Sequence, residues 1–163
     1  MTKYFNNGPY SLSILPSSIP GAGLGVFADE FIPKGSVVGE YVGSPIDTDG
    51  DYTYVKKNGK VIDASGYPRC YMAMLNDSIG STYFYNCVFT EDSQHRIFAI
   101  ATENIPEGNE LFVSYGSDYW LLSYKGDYEK ALRNTIWKLT IRKNDCELLK
   151  QRSLFNVVCG NDA

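Results

Sequence analysis

The sequence has few of the residues on which many catalytic and metal sites depend. Its 163 residues include one histidine, His95, and four cysteines, none of them in a C-x-x-C spacing. A single histidine gives no support to a Ser-His-Asp or Cys-His-Asn triad. The cysteine spacing argues against a structural zinc site, so we expect no metal and reduced thiols in an intracellular protein.

Long apolar runs and an excess of positive charge are also missing. No stretch of about 18 apolar residues occurs, so we expect no membrane span. No apolar segment of signal-peptide length begins the chain, and we do not expect secretion. The net charge of −4 argues against a broad basic face for nucleic acid. It is compatible with an acidic groove that receives a basic substrate, such as a lysine-rich tail.

Aromatic residues are abundant, with 13 tyrosines and eight phenylalanines. Short β-type runs separated by turn residues fill the first 116 residues, and strands favour aromatic side chains. The tyrosines are therefore either cross-strand pairs or, in part, the lining of a site. Asn58-Gly59 predicts a hairpin tip, and the run CYMAMLN at 70–76 predicts one or two helical turns.

The pattern of apolar residues changes after Trp120. Apolar residues recur at helical spacing between Tyr124 and Arg152, with Lys and Arg on the opposite face. This pattern predicts C-terminal helices. We therefore divide the chain into a β domain at residues 1–120 and a helical cap at residues 121–163.

The chain also contains an internal sequence repeat. FADEFIPKGSVVGEYVG at 27–43 resembles IATENIPEGNELFVSYG at 100–116. In the shared I-P-x-G, proline fixes φ and glycine supplies the turn. Two copies predict two similar strand pairs brought together in one core; two ordinary β-turns are the alternative.

The glycine-rich stretch GAGLGVFA at 21–28 resembles the start of a dinucleotide-binding loop. Such a loop needs a helix after the glycines, because the helix N-terminus holds the pyrophosphate. Pro33 and Gly35 would end any helix before its third turn. We reject that reading in favour of a glycine-rich turn into a strand, and the glycines need another explanation.

Four segments, in order, resemble the SET-domain family of protein-lysine methyltransferases. GAGLGVFADEFIPKGSVVGEYVG resembles the family's G-x-G, I-x-x-G turn and E-Y-x-G strand, and TYV…VIDASG its aromatic strand and I-D-A. LNDS…NCVF resembles N-H-S-C-x-P-N, and IPEGNELFVSYGSDYW resembles G-E-E-L-x-x-x-Y-G with its aromatic pair. The order of these segments, from roughly residue 11 to 120, is more specific than any one of them. The resemblance extends to small viral and minimal members, which end in a similar Y-G-x-D-Y-W.

This resemblance implies a fold and a reaction. The fold would be mainly β (α+β), a SET-domain β-clip of several short sheets with a pseudoknot, plus C-terminal helices. Residues 1–120 would be the catalytic domain, in which the Asn76 segment meets the Tyr115 strand. The activity would be methyl transfer from S-adenosylmethionine to a substrate lysine, most often on a histone tail, with S-adenosylhomocysteine as product.

The resemblance also implies site residues. The cofactor would contact Gly23, Leu24, Gly25, Asn76, Asp77 and Trp120; the catalytic residues would be Tyr115 and Tyr41; the lysine channel would comprise Tyr41, Phe89, Val113, Tyr115 and Tyr119. Glycine would let the backbone approach the cofactor. The reaction requires alignment, a neutral amine and a dry channel, so a shortage of histidine is no obstacle.

The sequence departs from the family pattern at several points. Asp77 stands where histidine is usual, Ala73 stands where arginine is frequent, and the loop IGSTYFYN is lengthened. Asp77 either helps binding or disturbs the geometry. It therefore leaves open an inactive SET-fold module that recruits a protein partner. Val113 leaves the methylation degree undecided, and Phe89, an aromatic without a hydroxyl, favours di- or trimethylation.

The resemblance implies that the partner is a protein substrate with an accessible lysine, and histone tails are the substrates typical of the family. We expect no direct nucleic-acid binding and no membrane association, and we leave a homodimer open. The nucleus is favoured over the cytoplasm as the compartment. Whether residues 119–137 close the lysine channel is also left open.

Overall fold

The computed structural model describes residues 3–47, 50–79 and 81–116. These residues form ten short strands and one 3-10 turn, Tyr71–Met74. The strands are β1 (Tyr4–Phe5), β2 (Leu12–Pro16), β3 (Leu24–Ala28), β4 (Val37–Tyr41), β5 (Ser44–Ile46), β6 (Thr53–Val55), β7 (Val61–Asp63), β8 (Arg69–Cys70), β9 (Cys87–Glu91) and β10 (Ile97–Ala101). The predicted mainly β fold is confirmed. The predicted C-terminal helices and the boundary at residue 120 lie outside the described residues.

The strands form four small sheets. Two have three strands, in the orders β4-β10-β9 and β5-β7-β6, and two have two strands, β2-β3 and β1-β8. All pairings are antiparallel except β1 with β8. In β10, Ile97, Ala99 and Ala101 are buried while the residues between them are partly exposed, the period-2 pattern of a strand with one face on the core.

The predicted hairpin at Asn58-Gly59 is confirmed between β6 and β7. Gly59 has φ +83°, a left-handed conformation that glycine adopts without strain. The backbone N–H of Lys56 donates to the carbonyl of Lys60 at 2.8 Å, which closes the turn. The run CYMAMLN forms the single 3-10 turn within its predicted range.

The two I-P-x-G segments pair with each other. Ile32 and Ile105 form an antiparallel bridge, and each backbone N–H donates to the other's carbonyl, at 2.9 and 2.8 Å. Gly35 and Gly108 have φ +89° and +90°, so the two turns share one conformation. Both isoleucines are fully buried. The internal sequence repeat is therefore also a structural repeat, and its two copies pair with each other in the core, as predicted.

Arg69 is a buried cation held by aromatic rings. Its guanidinium carbon lies 3.9 Å from the ring centroid of Tyr52 and 4.5 Å from that of Tyr67. The guanidinium also donates to the carbonyls of Ala64 and Ser65. These contacts replace lost hydration, because ring faces and carbonyl oxygens both attract a cation. Arg69 thereby joins β8 to the loop that follows β7.

The chain forms two compact units. Of the described residues, one unit comprises those up to Asn76 together with Asn86–Val113, and the other comprises those within Asp77–Tyr85 together with Ser114–Gly116. Within the first unit, Asn76 forms a parallel bridge with Phe112, and its carbonyl accepts the N–H of Val113 at 3.0 Å. The Asn76 segment therefore meets the strand that leads to Tyr115, as predicted. No helix in the described part of the chain is long and apolar enough to cross a membrane.

Candidate active site

The G-x-G segment, Gly23 to Gly25, begins at the end of the connection between β2 and β3 and continues into β3. Gly21 and Gly23 have φ +80° and +73°, and the Ser17 N–H donates to the carbonyl of Gly23 at 2.8 Å. A Cβ added at Gly23 would meet no atom of the described residues within 4 Å, and the next side chain, Leu24, is 39% exposed. The glycines therefore form a hairpin connection with open space beside it, as in the glycine-rich turn predicted in place of a dinucleotide loop.

Asn76 is tied to this segment by its side chain. Its Nδ2 donates to the carbonyl of Leu24 at 2.9 Å and to Glu110 Oε2 at 3.2 Å. A Cβ at Gly25 would lie 3.1 Å from the same nitrogen. Four residues predicted to bind the cofactor, Gly23, Leu24, Gly25 and Asn76, are thus gathered in one place.

Glu110 completes the group around Asn76 and Gly25, and it was not among the site residues predicted from the sequence. It is 5% exposed; its Oε2 accepts from Ser17 Oγ and its Oε1 from Ser18 N–H, both at 2.8 Å. A Cβ at Gly25 would overlap this carboxylate. Glycine at 25 is therefore required by an internal contact, a reason additional to the approach of a ligand. The available signal was the match of Asn109-Glu110-Leu111 to the family's E-E-L.

Three aromatic rings form a cluster in the same unit. Tyr41, Tyr54 and Phe89 have pairwise centroid distances of 5.6 to 5.8 Å, with both Phe89 contacts edge-to-face. Strand register explains the meeting: Tyr41 pairs with Ile97 and Phe89 with Ala99, two positions on one face of the β4-β10-β9 sheet. Tyr41 and Phe89 were predicted to share a channel, and Tyr54 is an addition, present in the quoted TYV but not assigned.

One hydroxyl of this cluster is anchored by a hydrogen bond, and the other is favoured in its neutral form. Tyr41 is 6% exposed and donates its hydroxyl proton to the carbonyl of Tyr52 at 2.6 Å. Burial raises the pKa of Tyr54 above 10.0, and the nearby charge of Glu91 raises it further. Glu91 is itself fixed by the N–H of Lys57 at 2.7 Å and by His95 Nδ1 at 3.1 Å. The cluster is therefore an uncharged, largely apolar surface.

In the second unit, Asp77 organises the backbone of Tyr115. Asp77 Oδ2 accepts the Tyr115 N–H at 2.9 Å, and Oδ1 accepts from Tyr85 O–H and Ile79 N–H, each at 2.8 Å. Asp77 thus holds the backbone of the segment that carries Tyr115 in place. Tyr85 comes from the lengthened loop and was missed. Contact of Asp77 with a cofactor stays a prediction.

The other predicted residues divide into buried and undescribed positions. Val113 is almost fully buried, and its place in a lysine channel stays a prediction. Tyr119 and Trp120 lie outside the described residues.

Burial raises the pKa of the Cys87 thiol to about 12, so this thiol is a poor nucleophile at neutral pH. Within residues 3–47, 50–79 and 81–116, no group of three His, Cys, Asp or Glu side chains is placed to hold a metal.

Comparison with known proteins identifies the family. The model of the SET domain family matches residues 23–116. The chain belongs to the SET domain family. SET domains are, in general, lysine methyltransferases that use S-adenosylmethionine. Among solved structures, the methyltransferase domain of human PR domain-containing protein 2 matches with a TM-score of 0.56 and 23% identity, covering 66% of this chain and 78% of that one. This match supports the fold.

The residues around the G-x-G segment fit S-adenosylmethionine. Space beside Gly23 admits a ligand against the backbone, and the exposed side chain of Leu24 offers an apolar contact. The buried Glu110 carboxylate supplies a negative charge that suits a cation, and Asn76 Nδ2 donates a hydrogen bond to it. Gly23, Leu24 and Asn76 are the residues that would hold the cofactor, which supplies a methyl group on a sulfonium sulfur.

Proposed function

We propose that the protein is an S-adenosylmethionine-dependent protein-lysine N-methyltransferase that acts on a histone tail in the nucleus. The hydrogen bond from Asn76 Nδ2 to the carbonyl of Leu24 is the main structural support. It joins the two segments that the family uses for its cofactor, and the space beside Gly23 stays open. A net charge of −4 favours a basic peptide as substrate.

The aromatic cluster supports a lysine as the acceptor. Tyr41, Tyr54 and Phe89 offer ring surfaces on which the aliphatic part of a lysine can pack. A poorly hydrated surface disfavours the ammonium form of the amine, which must be neutral to attack. Because the Tyr41 proton is committed to a backbone carbonyl, Tyr41 acts in this proposal by orienting groups and not by proton transfer.

Tyr115 completes the proposed catalytic set. Its backbone is held by Asp77, so the direction of the side chain is set from the main chain. In the proposal the Tyr115 hydroxyl orients the amine and the methyl group, while Val113 and Tyr119 line the channel and Trp120 contacts the cofactor. Alignment of this kind is the principal demand of an in-line methyl transfer.

Calorimetric titration with S-adenosylhomocysteine tests the cofactor site. We expect wild type to bind and Asn76→Ala to lose at least about tenfold in affinity, because Asn76 supports the G-x-G carbonyl and contacts the ligand. Asn58→Ala, at the exposed hairpin tip, is the matched control. Binding by wild type then justifies assays on histone peptides, with Tyr115→Phe as the inactive control. Absence of binding by folded wild type would instead favour the inactive module that recruits a protein partner.

A further inference from the structure

Glu110 is a buried acid without a described cation. Salt bridges in the described part of the chain join Glu91 to His95 and Asp92 to Arg96, and neither involves Glu110. Among residues 3–47, 50–79 and 81–116, its carboxylate is met by the neutral donors Ser17, Ser18 and Asn76. Burying a carboxylate is unfavourable unless charge or hydrogen bonds compensate it. Hydrogen bonds compensate part of this cost, and no cation of the described residues pairs with the charge.

The hydrogen-bond pattern is that of an ionised carboxyl. The N–H of Ser18 and the side-chain NH2 group of Asn76 can only donate, and they reach different oxygens of Glu110. Ser17 Oγ accepts the N–H of Ile19 at 3.1 Å, so its own proton is available to point at Glu110. Both oxygens therefore serve as acceptors, and a negative charge is held against the backbone of Gly25.

We infer that Glu110 is a positioning residue whose negative charge favours a cationic ligand at the G-x-G segment, and so favours S-adenosylmethionine over its uncharged-sulfur product. This inference rests on the proposed function. The carboxylate lies behind Gly25 and shares Asn76 with the open side of the segment, so it acts through space and through Asn76. A charge in a poorly hydrated setting is weakly screened and discriminates ligands that differ by one unit of charge.

This role would also help turnover. Loss of the methyl group converts the sulfonium to a neutral thioether, which removes the positive charge that Glu110 attracts. The product would then bind less tightly than the substrate, relative to a site without the carboxylate. Glu110 would thereby favour exchange of product for new cofactor.

The test compares the affinities of S-adenosylmethionine and S-adenosylhomocysteine by calorimetry, in wild type and Glu110→Gln. The relevant quantity is the ratio of the product's Kd to that of S-adenosylmethionine. We expect Glu110→Gln to lower this ratio about three- to tenfold, because glutamine keeps the shape and removes the charge. Glu107→Gln, an exposed neighbour in the adjacent turn, makes the same change in net charge and should leave the ratio unchanged.

Two results would overturn the inference. One is an equal loss of affinity for both ligands in Glu110→Gln, which would make Glu110 a scaffold only; the other is an unchanged pair of affinities. If Glu110→Gln does not fold, Glu110→Asp replaces it. That variant keeps the charge, so the ratio must stay within about twofold of wild type even if both affinities fall; a larger drop contradicts the role of charge.

Failure of this inference is distinguishable from failure of the proposed function. Wild type that binds both ligands, with a ratio insensitive to Glu110→Gln, overturns only the role of Glu110. Folded wild type that binds neither ligand overturns the proposed function and the inference with it.

Discussion

The carboxylate of Asp77 accepts a hydrogen bond from the backbone N–H of Tyr115 at 2.9 Å. This contact shows how an acidic residue serves where the family usually has histidine. A histidine could donate or accept at such a position, whereas an ionised aspartate can only accept. The Tyr115 N–H and the Tyr85 hydroxyl are both donors, so an ionised aspartate suits these partners.

Removing the Asp77 carboxylate should destabilise the protein. Asp77→Ala leaves the donors of Tyr115, Tyr85 and Ile79 without this acceptor, and we expect a loss of about 3 kcal/mol in the free energy of unfolding. Tyr85→Phe removes one hydrogen bond and should cost about 1 kcal/mol. Urea unfolding measures both. The exposed Asp51→Ala should change stability by less than about 0.5 kcal/mol; equal effects of Asp77→Ala and Asp51→Ala would contradict the brace.

Gly25 should tolerate no side chain. Alanine there would overlap the Glu110 carboxylate and crowd Asn76 Nδ2, so Gly25→Ala should displace both groups. We expect a loss of about 2 kcal/mol in unfolding free energy and weakened binding of S-adenosylhomocysteine. Gly66→Ala is the matched control, because a Cβ at Gly66 meets no atom within 4 Å. Retention of both properties by Gly25→Ala would show that the carboxylate moves aside without consequence.

The paired I-P-x-G segments should be energetically coupled. Ile32 and Ile105 are buried and bonded to each other through the backbone. Each change to alanine should cost about 2–5 kcal/mol. Because the residues are direct partners, the double variant should lose less than the sum of the single losses, by at least about 0.5 kcal/mol. A double-mutant cycle in urea gives this value, and strict additivity would argue against a joined repeat.

The sequence predicted the features that depend on local chemistry or on matched motifs. The Asn58-Gly59 turn follows from the conformational preferences of asparagine and glycine. The repeat of I-P-x-G predicted that its two copies come together in the core. The match of four ordered segments predicted that Asn76 shares one site with the G-x-G residues and that Tyr41 shares another with Phe89. In each case the residue types themselves carried the signal.

The missed residues depend on long-range contacts. Ser17 and Glu110 are 93 positions apart in the sequence, and no periodicity relates them. Tyr54 resembles any strand tyrosine in the sequence, and its contact with Phe89 arises from the packing of β6 and β9, which belong to different sheets. Tyr85 lies in an irregular loop, where neither the period of a strand nor that of a helix indicates which residue its hydroxyl will meet. Their roles follow from the packing of the fold.

The pKa of Tyr54 predicts a change in stability at alkaline pH. Its pKa is raised in the folded protein, so the folded state retains the proton after the unfolded state has lost it. The contribution is present below pH 10 and is lost as pH rises through the folded pKa. Between about pH 9 and about pH 11, wild type should lose more stability than Tyr54→Phe. Glu91→Gln should reduce this difference, because it removes one cause of the shift; equal losses in wild type and Tyr54→Phe would contradict it.

Phe89 should influence how many methyl groups are transferred. Its ring lies edge-to-face on Tyr41 and Tyr54 in an apolar cluster, where a phenylalanine holds no water. Phe89→Tyr adds a hydroxyl that can bind water and occupy space, so products should shift from di- or trimethyl-lysine toward monomethyl-lysine. Mass spectra of a methylated histone peptide measure the shift, and binding of S-adenosylhomocysteine checks that the variant is intact. Phe98→Tyr makes the same chemical change on the opposite face of the same sheet and should leave products unchanged. Identical product states for wild type and Phe89→Tyr would remove Phe89 from the channel.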